Sequence, residues 1–490
     1  METSTESWNK KQVLMVQGNP GAPTIVTGWT FNSCAHNIEA AKSPTAQIAN
    51  MSNSASAPIP EVNFPTQDIS ESQGSAQKRT RIESIDLLRG IVMVIMMLDH
   101  TRDFVHRDVL QGFDPTDLSR TNVALFFTRW ITHFCAPVFV FLAGTGIYLQ
   151  WSRGKNKSAL SRFLITRGLW LILLEFTVIR ISVFLNFDYR FLGVMQVIWV
   201  IGVSMIVLAA LIHLPLRVIG GFGVAMIALH NLLDRYKAAG GWQGPNSPVP
   251  SYWAKLYFIL HQPFEAFPIL GFPSPVLFVI YPLIPWLGVM AAGYAFGALY
   301  ILEAHRRRRL LLILGGSATA LFIILRFINR YGDPSHWSSQ NSAVFTVLSF
   351  LNTTKYPPSL LFLLMTLGPA MLALAWFESF ERVGSVAFQQ TIIGRIRKAF
   401  VTFGRVPLFF YLLQWPTARF ISILAHLIAG KPVRWMFGSQ IGGSGAPPGV
   451  GFNLAVVYAC WILGIILLYP LCKWFAGVKQ RRKDWWLSYL

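Results

Sequence analysis

Within one helical turn, Asp99, His100, Arg102 and Asp103 place an acid, an imidazole, a base and a second acid at the end of an apolar run. A carboxylate beside an imidazole can fix its tautomer and raise its basicity, as a general base near pH 7 requires. The alternative is a helix end whose charges reach for water around a capping histidine. His106 follows in the loop beyond, as a second base or as a solvated side chain. In the next apolar run Arg129 and His133 are four residues apart and share a helix face. Asp86 and Arg89, three apart, also share a face, and either neutralise each other at an interface or contact a cofactor. Glu175 and Arg180, five apart, are poorly placed to meet each other and fit pairing between helices. A charge at bilayer depth costs about 2.5 to 3.5 kcal/mol on insertion scales, so such residues are kept for pairing or for function.

The elements that carry these side chains are membrane helices. Only 13% of the 490 residues are charged, 53% are hydrophobic and the mean hydropathy is +0.45, where a soluble domain carries about a quarter charged residues. The apolar residues come in blocks long enough to cross a hydrocarbon core about 30 Å thick. The blocks read as ten helices, over approximately 85–105, 122–150, 160–185, 190–212, 216–233, 274–301, 309–328, 358–377, 401–429 and 452–473. Basic clusters flank alternate connections, among them Arg153 with Lys155, Arg306 to Arg309, and Lys479 with Arg481. Both termini are therefore expected in the cytoplasm, and the loops rich in Pro, Gly and Trp at 234–273, 329–357 and 430–451 on the opposite side. The expected fold is an all-α polytopic bundle over 79–490, behind a disordered tail over 1–78 whose Ser, Asn, Ala and Pro cannot build a core.

The net charge of +20 falls in short clusters between apolar blocks rather than on one amphipathic face, so it reads as an orientation signal and not as a nucleic-acid surface. The four cysteines show no CxxC pair, and no metal site is expected. GxGxxG, Walker A, HExxH and nucleophile-elbow patterns are absent from the sequence.

The segment RIESIDLLRGIVMVIMMLDHTRDF at 81–104 resembles the opening of the heparan-α-glucosaminide N-acetyltransferase catalytic-domain family, its bacterial branch above all. The stretches FFTRWITHFCAPVFVFLAGTG at 126–146, YPLIPWLGVMAAGYAFG at 281–297, NTTKYPPSLLFLLMTLGPA at 352–370, FGRVPLFFYLL at 403–413 and KDWWLSYL at 483–490 are similar to it in the same order. The resemblance implies a transmembrane acyltransferase that takes acetyl-CoA from the cytoplasm and delivers the acetyl group to an acceptor on the far side. The family's Ser-x-Asp-x-x-Arg-Gly motif matches Ser84, Asp86, Arg89 and Gly90, and its functional Asn falls on His100. Its catalytic histidine belongs in the following loop, where this chain has Gln111 and offers His100, His106 or His133 instead.

Acyl transfer from a thioester needs a base for the acceptor and a cation or dipole for the developing oxyanion. His100 with Asp99 can supply the first; Arg102, Arg129 or Lys355, with Tyr356 beside it, can supply the second on the acceptor side. Asp103 completes the catalytic set. Arg89, Arg162 and Arg167, at expected cytoplasmic helix ends, suit the phosphates of CoA, with Asp86 alongside. The expected acceptor is an amino or hydroxyl group of a sugar or glycan, and the expected location a bacterial inner membrane among its lipids. A homodimer is compatible with this reading. Two other classes fit the same residues: a secondary transporter using them as a proton relay, and an inactive scaffold.

Overall fold

Inside a bilayer no water meets the backbone, so an apolar run must satisfy its own N–H and C=O groups, and the helix does so within one segment. The computed structural model describes residues 82–381, 390–438, 445–482 and 484–490; the expected tail over 1–78 lies outside them. In chain order they form α1 (Glu83–Val105), a one-turn α2 (Arg107–Leu110), α3 (Val123–Ile131) and α4 (Cys135–Ser152). There follow α5 (Lys157–Leu174), α6 (Arg180–Phe184), α7 (Val197–Leu211), α8 (Leu216–Leu229) and a short α9 (Tyr252–Leu260). The rest are α10 (Leu283–Phe296), α11 (Ala304–Ile328), α12 (Ala343–Leu351), α13 (Leu360–Glu381), α14 (Ile392–Arg405), α15 (Pro407–Ile428) and α16 (Leu454–Arg481).

Among the described residues seven helices are long and apolar enough to cross a membrane. The remaining expected blocks contain helices too, but differ in kind: α1 carries Asp86, Arg89, Asp99, Arg102 and Asp103, and α7 has only 15 residues. Helix α5 runs into α6 through a single π turn, Glu175–Ile179, a distortion common beside functional sites. Glu175 is buried there and accepts a hydrogen bond from the Trp199 backbone N–H at 3.1 Å, near the start of α7.

Helix α1 is the hub, packed by α4, α13, α14, α15 and α16, with Met93 and Met97 wholly buried. Lipid gives little hydrophobic force between helices, so close backbone approach has to supply the contact. At the crossing of α1 and α14 a Cβ on Gly90 would lie 1.8 Å from the Phe400 carbonyl oxygen, and one on Gly404 1.8 Å from that of Asp86. Only glycine permits this approach from both sides.

The all-α expectation needs one correction. Residues Phe191–Met195 (β1), Glu265–Pro268 (β2) and Val276–Val279 (β3) form a three-stranded sheet in the order β1-β3-β2, with β1 parallel and β2 antiparallel to β3. Continuous apolar runs at 190–212 and 274–301 hide a strand followed by a helix, because neither half shows a period. Buried Arg180 fastens the turn into β1 by donating to the carbonyl oxygens of Asn186, Asp188 and Phe191.

A second buried arginine organises the long connection after α11. The Arg326 guanidinium donates to the carbonyl oxygens of Phe350, Ser335, Ser349 and Asn352 at 2.6 to 3.1 Å. The Asp333 carboxylate accepts from Ser335 N, Thr354 N, Thr354 Oγ1 and Ser359 Oγ at 2.6 to 2.9 Å. Together they fix the strap at 352–359 that carries Lys355 and Tyr356.

Candidate functional site

Asp99 is the centre of a buried ionic cluster. Arg129 Nη1 donates to both its carboxylate oxygens, at 2.8 and 3.0 Å, and Thr132 Oγ1 donates at 2.8 Å. Arg102 Nη2 lies 2.7 Å from the same carboxylate and Lys355 Nζ 3.7 Å from it. Four elements thus converge: α1, α3, the turn between α3 and α4, and the strap before α13. Arg102 Nη2 also binds Asp103 Oδ1 at 2.6 Å, and Asp103 is the member of the cluster that reaches toward solvent.

The two histidines beside this cluster behave differently from the sequence expectation of a carboxylate–imidazole pair. Asp99 is taken up by the cations and Thr132, and among the described residues no hydrogen bond joins it to His100. The His100 ring is held instead by Trp415, with ring centroids 3.7 Å apart, and its Nδ1 is buried without a hydrogen-bond partner. His133 is buried against Phe362, with Lys355, Arg129, Asp99 and Arg102 as the charges around it. His106 belongs to another environment: it caps α1, forms an isolated parallel backbone bridge with Phe452, and has Asp108, Arg102 and Arg107 as charged neighbours. Burial, reinforced by Arg102 and Arg107 against the opposing pull of Asp108, holds its imidazole below the usual value.

Toward the other end of α1 lies a cavity of about 400 Å³. Its lining includes Arg89, Gln150, Phe163 and Arg167, and also Met96, Phe139, Val197 and Tyr411. The spacing of Arg89 and Met96 along α1 corresponds to roughly 10 Å, and Met96 lies roughly 4.5 Å short of Asp99 along the helix axis. The Tyr356 hydroxyl lies 3.5 Å from the Tyr281 hydroxyl, so Tyr281 meets the strap next to Lys355. Tyr281 also packs against Tyr356 with ring centroids 5.2 Å apart.

The expected groups are therefore partly gathered. Asp99, Arg102, Asp103, Arg129 and Lys355 meet directly, with His100 and His133 beside them and Tyr356 next along the strap. Arg89 and Arg167 share the cavity, and Asp86 lies 3.5 Å from Arg89. Arg162 is exposed and outside the cavity lining. Thr132, Tyr281, Tyr411 and Trp415 were not singled out from the sequence. Tyr281 and Tyr411 do fall inside motif stretches at 281–297 and 403–413, which was the available signal.

Seven described helices long and apolar enough to cross a membrane, with a buried ionic cluster and a cavity that has two arginines in its lining, indicate a multi-pass membrane protein with an internal site. The family model described as heparan-alpha-glucosaminide N-acetyltransferase, catalytic, matches residues 81–335, and the chain belongs to that family. The resemblance read from its motifs is thereby borne out, and the family points to a membrane acyltransferase. Among curated proteins none matches the chain.

Proposed function

We propose that this protein transfers an acetyl group from cytoplasmic acetyl-CoA to an amino or hydroxyl group of a sugar or glycan on the far side of a bacterial inner membrane. The observation that carries the reading is the cavity that has Arg89 and Arg167 among its lining residues and reaches Met96 and Tyr411, close to the Asp99 cluster. Cations suit the phosphates of CoA, and a largely apolar channel suits its pantetheine arm. With the N-terminal end of α1 in the cytoplasm, the thioester approaches the cluster from one side and the acceptor from the other.

His100 is the base in this scheme. His133 is buried against Phe362, and His106 sits six residues beyond His100, tied to the Phe452 segment. His100 takes the proton of the acceptor N–H or O–H as the nitrogen or oxygen attacks the thioester carbonyl. The new C–N or C–O bond forms, the tetrahedral oxyanion is held by the cations of the cluster, the C–S bond breaks, and the CoA thiolate leaves and is protonated. Asp99 acts as the anchor that spaces Arg102, Arg129 and Lys355, with Asp103 on the acceptor side.

Incubating membranes with radiolabelled acetyl-CoA and extracting glycans tests the reading: label should enter an acceptor only when the protein is present. His100→Ala should lower transfer by about 10² to 10⁴-fold while CoA still raises the melting temperature. Stabilisation by an ion or solute with none by CoA or acetyl-CoA would replace this reading with a transporter.

A further inference from the structure

The cluster around Asp99 contains more positive than negative charge. Arg102, Arg129 and Lys355 face buried Asp99; the Asp103 side chain is 40% exposed and Asp114, whose charge also acts on Arg129, is exposed, so water shares the charge of both. Arg102 shows where the imbalance is felt. Its side chain is 1% exposed, and Nη2 alone serves both carboxylates. Nε and Nη1 are buried with no hydrogen-bond partner, which leaves three of the five guanidinium N–H donors unfilled. A buried polar group left unfilled is destabilising, and a charged one more so. Water can accept those hydrogen bonds, but it does not balance the charge.

We propose that this cluster is a binding site for a small monovalent anion, chloride or a small carboxylate such as acetate, seated on the unfilled N–H groups of Arg102 with Lys355 as the second cation. The inference rests on the charge balance and the unfilled donors, and stands whether or not the acyl-transfer reading does. Asp99 keeps the cations apart and the anion completes their neutralisation, so an incoming reactant must displace it.

The test uses full-length protein purified in detergent, melted at constant ionic strength while the bulky sulfonate of potassium MES is replaced by chloride, and separately by acetate. A saturable rise of several degrees with chloride or acetate is expected, as binding to the folded state requires. Arg102→Met should remove the rise and Lys355→Met should shift its midpoint at least about tenfold to higher anion concentration. If Arg102→Met does not fold, Lys355→Met carries the same comparison. Equal melting temperatures in the three salts would overturn the proposal, and so would a rise that both variants keep unchanged.

Discussion

Arg102 and Arg326 are the same residue type at the same depth, each 1% exposed, yet their donors meet opposite fates. Arg326 has its guanidinium capped by four backbone carbonyl oxygens, dipoles that cannot leave. Arg102 spends one nitrogen on two carboxylates and leaves the other two unfilled. Burial alone thus separates neither role; the satisfaction of the donors does. A guanidinium closed by main chain is a clip, whereas one left open in a charged pocket is built to receive something.

The contrast is broken or sharpened by substitution. Arg326→Met should destabilise the fold by at least about 3 kcal/mol, since four carbonyl oxygens lose a charged donor worth roughly 1.5 to 3 kcal/mol each before relaxation. Arg102→Met should cost less, about 1 to 2 kcal/mol, because Asp99 keeps Arg129, Lys355 and Thr132 as partners and three unfilled donors leave with the guanidinium. Melting in detergent without chloride compares the two. Equal losses would mean that both arginines are structural.

Thr132→Val probes the anchor at the middle of the scale. Its hydroxyl is one of the Asp99 donors at 2.8 Å, so a loss of about 1.5 kcal/mol is expected, the value of a hydrogen bond to a charged group. A neutral result would show that Arg102, Arg129 and Lys355 hold the carboxylate without it.

The smallest effect concerns His106, whose imidazole is held below its usual value in the folded protein. The unfolded chain then binds the extra proton first as pH falls, so stability is lost from about pH 6.5 downward until the folded group also protonates. His106→Gln should flatten that part of the curve by a fraction of a kcal/mol. Melting temperatures between pH 7 and pH 5 decide it, and parallel curves for both proteins would show that His106 does not contribute.

Much of this was readable in the chain. The membrane character follows from composition, and Asp99, Arg102, Arg129 and Lys355 stand out because charge in an apolar run has no cheap explanation. Their mutual arrangement was not readable: Lys355 reaches Asp99 only because Arg326 and Asp333 hold the strap at 352–359 through contacts set by the fold. Thr132 and Trp415 are ordinary residue types in membrane helices, and nothing in their spacing marks one as a carboxylate donor and the other as the platform for His100. The sheet was missed for a different reason, since an unbroken apolar run at 190–212 has no period to distinguish strand from helix.

The glycine crossing of α1 and α14 bears on how the chain is made. Gly90 and Gly404 are 314 positions apart in the sequence, so at about 5 to 20 residues per second the ribosome needs roughly 15 to 60 s to supply the partner of the first helix. During that interval α1 must wait in the bilayer with Asp86, Arg89, Asp99 and Arg102 lacking the neighbours that α14 and the 352–359 strap will bring. Among the described helices α1 carries the largest number of charged side chains, and it is among the last to be fully covered. A ribosome stalled before codon 404 would release a chain whose central helix has no seal, the form that quality-control proteases are expected to meet first.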